Sequence, residues 1–118
     1  MVYSLDEAYL RLRQVVELVE KVPEAADDTF FVDALLNFAR VLYFRVDMRG
    51  IIELLEPHLP RAEALGDPHR LSRMLYEIGY AHVFNGDLGV GYPMLDRVKK
   101  IGEESGNELI TEIGRAHV

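Results

Sequence analysis

Gly66-Asp67-Pro68 compresses three signals into one turn: a glycine that ends a helix, an aspartate that caps the next, and a proline at its first position. Forty residues on, Gly106-Asn107 repeats the turn, and forty residues back Asp27 opens a helix of the same kind. A second series, Asp47 and Asp87, falls halfway between. That half-step makes each unit two helices, and a fixed period of this size signals stacked repeats. The apolar pattern keeps the same offset. Phe31, Leu35, Phe38, Ala39 and Phe44 fall on Leu71, Leu75, Ile78, Gly79 and Phe84, while Leu54, Leu55 and Gly66 fall on Met94, Leu95 and Gly106.

Working outward from that turn, six helices are expected, at about 4–22, 29–46, 48–65, 68–85, 88–105 and from 108 to the end. The first starts at Ser4, three residues before Glu7 in capping-box spacing, and carries the stripe Leu12, Val15, Val16, Val19 and Val22 until Pro23 stops it. Glu24 to Asp28 is an acidic connector. The second helix is rich in aromatics: Phe30, Phe31, Phe38, Tyr43 and Phe44. In the third, Ile51, Leu54, Leu55, Leu59 and Ala62 point inward, and Pro57 and Pro60 predict a kink without a break. The fourth buries Leu71, Leu75, Ile78 and Val83. The fifth is locally weak. Gly89 and Gly91 each cost up to about 1 kcal/mol relative to Ala, and Pro93 loses the bond to Gly89, so order is expected to begin near Tyr92.

Composition bounds the function classes. A chain of 118 residues, 49% hydrophobic and 28% charged, holds one ordinary compact unit. A net charge of -7 argues against a phosphate-backbone surface, because Lys99-Lys100, the only paired bases, are followed by Glu103-Glu104. Cysteine is absent, which excludes disulfides and thiolate metal sites. No apolar run approaches a membrane span, and the first residues lack the basic and apolar regions of a signal peptide, so the expected location is the cytoplasm.

Gly79 and Gly91 lie twelve apart, with Leu75 and Ile78 before the first, Leu95 four after the second and Val98 three after that. This pattern resembles a tetratricopeptide repeat. Leu35, Phe38, Ala39, Ile51, Leu55 and His58 mirror it forty residues earlier, with Ile51 and His58 in place of the usual alanines and a period longer than the common one of about 34. The resemblance implies an all-α fold in which antiparallel helix pairs stack as a right-handed superhelix over residues 1–111. Physical logic agrees: a small residue on each helix lets two backbones approach, and large ones fill the space between pairs. The phrases at 54–67 and 79–87 further resemble the C-terminal repeat regions of large bacterial signalling proteins that join a nucleotide cyclase or DNA-binding domain to an ATPase. That likeness implies a piece of such a regulator, without its catalytic or ATP-binding part and with apolar surface at both cut ends.

Glu112-Ile113-Gly114-Arg115-Ala116-His117-Val118 nearly copies Glu77-Ile78-Gly79-Tyr80-Ala81-His82-Val83, but at an offset of 35. Gly79 follows its turn residue Asp67 by twelve, whereas Gly114 follows Asn107 by seven. The heptapeptide is also the translation of a common short-read library adapter, GAG ATC GGA AGA GCA CAC GTC. Residues 112–118 are therefore expected to be a non-native tail, the alternative being a repeat shortened by five residues.

No residue set carries catalytic chemistry, and neither a cofactor nor a metal is expected. His58, His69, His82 and His117 include no pair three or four apart, which fits surface or groove positions better than metal ligation. Gly86-Asp87-Leu88-Gly89-Val90-Gly91 lacks the third glycine, at Met94, and the preceding strand of a dinucleotide loop. Glu17, Glu20 and Glu24 form a solvated face, and Ser72 and Ser105 have no base beside them. The outward positions of the two repeat-opening helices are a different matter. Asp33, Leu36, Arg40 and Tyr43, then Arg73, Tyr76, Tyr80 and Val83, form a candidate concave binding surface, since aromatic residues and arginine are enriched at interaction hot spots. The same tyrosines equally suit packing between repeats. A clamp for a peptide's terminal carboxylate is disfavoured, because Arg40 and Tyr80 stand where the resemblance would place its asparagines. The expected function is a noncatalytic protein-interaction scaffold, binding a protein, a peptide or neighbouring domains of its own chain. Two alternatives stand beside it: a sensor that takes a small peptide or ligand and regulates a linked effector, and an inactive fragment of a multidomain cyclase.

Overall fold

The computed structural model describes residues 4–21 and 27–115. Within them the chain is helical and contains no strand: α1 (Leu5–Lys21), α2 (Asp28–Phe44), α3 (Met48–Leu55), α4 (Leu59–Ala64), α5 (Pro68–Phe84), α6 (Leu88–Ser105) and α7 (Glu108–Arg115). A 3-10 turn, Glu56–His58, joins α3 to α4. Prolines without an N–H loosen the helix there, and the chain takes the bend in helical backbone. No described helix is long and apolar enough to cross a membrane. The expected stop at Pro23, with residues 22–26, lies outside the described residues. So does 116–118, the last part of the expected non-native tail, whose first part continues α7.

The periodic residues do the capping for which their chemistry suits them. Asp27 accepts the Phe30 N–H at 2.7 Å, Asp47 that of Gly50 at 2.9 Å, and Asn107 that of Ile110 at 3.2 Å. Asp67 accepts two, from His69 at 3.0 Å and Arg70 at 3.3 Å. Ser4 accepts the Glu7 N–H at 3.2 Å. Each satisfies donors that a helix start leaves orphaned. Asp87 departs from the series: its side chain makes no cap bond and lies 3.6 Å from His82 Nδ1, while its backbone carbonyl accepts the Val90 and Gly91 N–H groups.

Helix ends show a second period. Val46, Gly66, Gly86 and Gly106, twenty residues apart, all have left-handed backbone, with φ of 58°, 67°, 88° and 70°. The ends at 46 and 86 use the same paired bonds: Asp47 N–H to the Leu42 carbonyl and Val46 N–H to Tyr43, then Asp87 N–H to His82 and Gly86 N–H to Val83. Valine stands where the other three turns have glycine. Its Cβ makes that conformation cost roughly 1–2 kcal/mol.

Each long helix packs on its neighbour in the chain, with α3 and α4 both against α5 and with α2 also touching α5. The principal core runs from Val16 and Val19 of α1 through Phe31, Leu35 and Leu42 of α2 and Ile51 and Leu55 of α3 to Met74, Ile78 and Ala81 of α5. A smaller cluster joins Leu75, Val98 and Ile110 of α5, α6 and α7. Between α5 and α6 the backbones meet directly. A Cβ on Gly91 would stand 2.6 Å from the Gly79 carbonyl oxygen and 2.6 Å from Val83 Cγ2. This contact corrects the expected late start of the fifth helix: α6 begins at Leu88, because Gly91 is held against α5 and packing outweighs the weak propensity of its first turn.

Candidate functional site

Tyr76 and Tyr80 stand four residues apart on α5, one turn above the other, and their rings stack at 6.0 Å with planes 24° apart. Tyr43, near the end of α2, meets Tyr80 at 6.0 Å and 54°, and Phe44 meets Tyr43 edge-on at 5.7 Å. The rings thus form an aromatic seam across the α2–α5 contact. With Arg40 and Glu77 they line a depression of about 220 Å³. Tyr43 remains 42% exposed, and Tyr76 and Tyr80 are half-buried. The tyrosines pack between helices and still present ring surface.

Charge around the seam is mixed. Burial pushes the Tyr76 phenol up, with Glu77 next in effect. Burial also pushes the Glu77 carboxyl up, against the pull of Arg73 and Arg40. One guanidinium, Arg40, and one carboxyl, Glu77, line the depression with the rings. Such a surface can stack on an apolar or aromatic side chain while Arg40 meets a carboxylate or carbonyl.

The other expected site residues part from this group. Leu36, expected to face outward, is only 1% exposed and sits in the same core cluster as Val16 and Val19 of α1. Val83 faces α6, where its Cγ2 occupies the space a Cβ on Gly91 would need. Asp33 is held by Arg70, whose Nε and Nη2 donate to its two carboxylate oxygens at 2.8 and 2.9 Å. Arg70 also donates to Asp67, and the two contacts keep both carboxyls below the usual range. Arg73 is half-buried between Asp33 and Glu77 in its electrostatic effect. Of the expected residues the site keeps Arg40, Tyr43, Tyr76 and Tyr80. Sequence reasoning missed two members, Glu77 and Phe44. Glu77 is three residues before Tyr80, a same-face spacing that could have found it.

Of the histidines, His69 is exposed as expected and His82 needs correction. His82 was expected on a surface or groove, but its side chain is 12% exposed and its Nε2 lies 3.0 Å from Glu56 Oε2, tying α5 to the 3-10 turn. His58 packs edge-on to Phe31 at 5.0 Å and lies 3.4 Å from Glu20 of α1. His117 is outside the described residues. Among the described residues no three His, Asp or Glu side chains converge as metal ligands. The chain matches no protein-family model, no curated protein and no solved structure.

Proposed function

We propose that this chain is a noncatalytic helical-repeat module of tetratricopeptide type, its helix pairs stacked as a solenoid, which binds a polypeptide segment on the tyrosine seam. The observation that carries the reading is the run of Tyr43, exposed, and Tyr76 and Tyr80, half-buried, beside Arg40. Rigid aromatic rings and arginine are the residue types that dominate binding energy at protein interfaces. Caps and left-handed turns recurring at fixed intervals support the repeat, and the phrases at 54–67 and 79–87 favour a cytoplasmic bacterial signalling regulator as its setting. A depression of about 220 Å³ suits one inserted side chain, since small-molecule sites run to about 300–1,000 Å³. This size favours a polypeptide partner over a small-ligand sensor.

A peptide-display selection on the wild-type chain, with Tyr76→Ala/Tyr80→Ala as counter-target, tests the reading. Enriched peptides should bind the wild type and lose at least about tenfold in affinity for the double variant, the scale of a hot-spot truncation. Peptides that bind both chains equally would refute the seam as the binding surface.

A further inference from the structure

Arg40 and Glu77 are the charged members of the depression that Tyr43, Phe44, Tyr76 and Tyr80 wall. Burial pushes the Glu77 carboxyl up, and Arg73 and Arg40 pull against that without a hydrogen bond to it. Among the described residues no hydrogen bond or ion pair occupies either Glu77 or Arg40. A half-buried acceptor and an exposed fork of donors thus share one aromatic-walled depression. A carboxylate already drawn out of water gains from a donor that another molecule brings, and loses when that molecule brings none.

Size and chemistry together narrow the guest, since about 220 Å³ takes a single side chain. Lysine or arginine would pair with Glu77 but meet Arg40 as a like charge. Aspartate or glutamate would satisfy Arg40 but meet Glu77 in the same way. Leucine, proline or phenylalanine would fill the space and leave both polar groups without a partner. Serine, threonine, asparagine and glutamine offer a donor and an acceptor, but no ring to lie against the rings of the walls. Tryptophan brings a ring and a donor, and nothing for Arg40 to donate to. Histidine brings both, but gains a charge beside Arg40 when it takes up a second proton. Tyrosine meets every condition: a neutral ring that stacks, and one hydroxyl that is both donor and acceptor.

We propose that the seam recognises a tyrosine of the partner polypeptide, its ring against Tyr43, Tyr76 and Tyr80 and its hydroxyl donating to the Glu77 carboxylate and accepting from the Arg40 guanidinium. This rests on the seam being the binding surface. Glu77 and Arg40 are its specificity-determining residues. Ring contacts alone would hold phenylalanine equally, and the two polar groups left unpaired are what reject it. A site built to hydrogen-bond a hydroxyl discriminates against the analogue lacking it more strongly than an apolar pocket discriminates by size.

The probes are two peptide-display libraries, random but for one central residue, tyrosine in the first and phenylalanine in the second. Both are sorted on the full chain, with Tyr76→Ala/Tyr80→Ala as counter-target. Seam-dependent binders are expected from the tyrosine library. Exchanging the central tyrosine of such a peptide for phenylalanine should weaken binding to the wild-type chain at least about tenfold, and to Glu77→Leu and Arg40→Met by much less. Arg40 is exposed and Glu77 carries no hydrogen bond, so both variants should keep the wild-type circular dichroism. Phenylalanine tolerated in place of tyrosine, or a loss undiminished in Glu77→Leu or in Arg40→Met, overturns the proposal and leaves the seam in place. Failure of both libraries to yield a binder lost in Tyr76→Ala/Tyr80→Ala would refute the seam itself, and the proposal with it.

Discussion

Forty residues separate Ile51 from Gly91, and the two do opposite work at the same place in their helix pairs. In the second pair a glycine on each helix lets α5 and α6 meet backbone to backbone. In the first pair Ala39 and Ile51, both fully buried, fill the corresponding space with side chain. One spacing of caps and turns thus supports two ways of packing a helix against its neighbour. The period fixes where helices start and stop; the residue at the crossing fixes how near they come.

Exchanging the crossing residues should give the largest effects. Ile51→Ala opens a cavity in the principal core and should cost about 4 kcal/mol, within the range for a fully buried isoleucine. Gly91→Ile writes the first pair's residue into the second, against Gly79 and Val83, and should cost about 3 kcal/mol by overpacking. Urea unfolding measures both. Tolerance of Gly91→Ile would mean that the second pair is not held by close approach.

The helix ends offer a reciprocal exchange of intermediate size. Val46 and Gly86 occupy equivalent left-handed positions, Val46 is 64% exposed and nothing lies within 4 Å of a Cβ on Gly86, so backbone strain is the main term in both substitutions. Val46→Gly should stabilise the chain by about 1 kcal/mol, and Gly86→Val should cost about 1–2 kcal/mol. Equal melting temperatures for the two variants would show that the turns are not equivalent.

Much of this was legible in the sequence because it is local. Asp27, Asp47, Asp67 and Asn107 cap helices through bonds to residues two or three positions on, and Gly66, Gly86 and Gly106 act through their own φ. The tyrosines' shared face on α5 followed from their four-residue spacing. Features that depend on a distant segment were not legible. Leu36 reads as outward from α2 alone, and only the presence of α1 in the same core cluster accounts for its burial. Asp33 became part of an ion pair because Arg70, thirty-seven residues away, reaches it. Val46 sits in a left-handed turn that its own side chain disfavours, so only the twenty-residue series around it could have flagged it.

The smallest expected effect separates the two pairs by charge. The Arg70 clamp on Asp33 joins α5 to α2, and the residues forty away from Arg70 are Phe30 and Ile110, which cannot repeat it. Arg70 holds the Asp33 and Asp67 carboxyls below their usual range, so their contribution is fully present above about pH 4 and is lost as pH falls through the depressed values. Arg70→Gln should therefore lower the urea midpoint at pH 7, modestly because the groups are partly solvated, and the deficit should fade below about pH 4. A deficit that persists unchanged at low pH would assign Arg70 a packing role instead.

The binding claim rests on the seam between the pairs, and calorimetric titration of a display-selected peptide into three chains tests it most directly. The account predicts a loss of at least about tenfold in affinity for Tyr80→Ala and wild-type affinity for Leu88→Asp. Wild-type affinity for Tyr80→Ala with a loss for Leu88→Asp would contradict it.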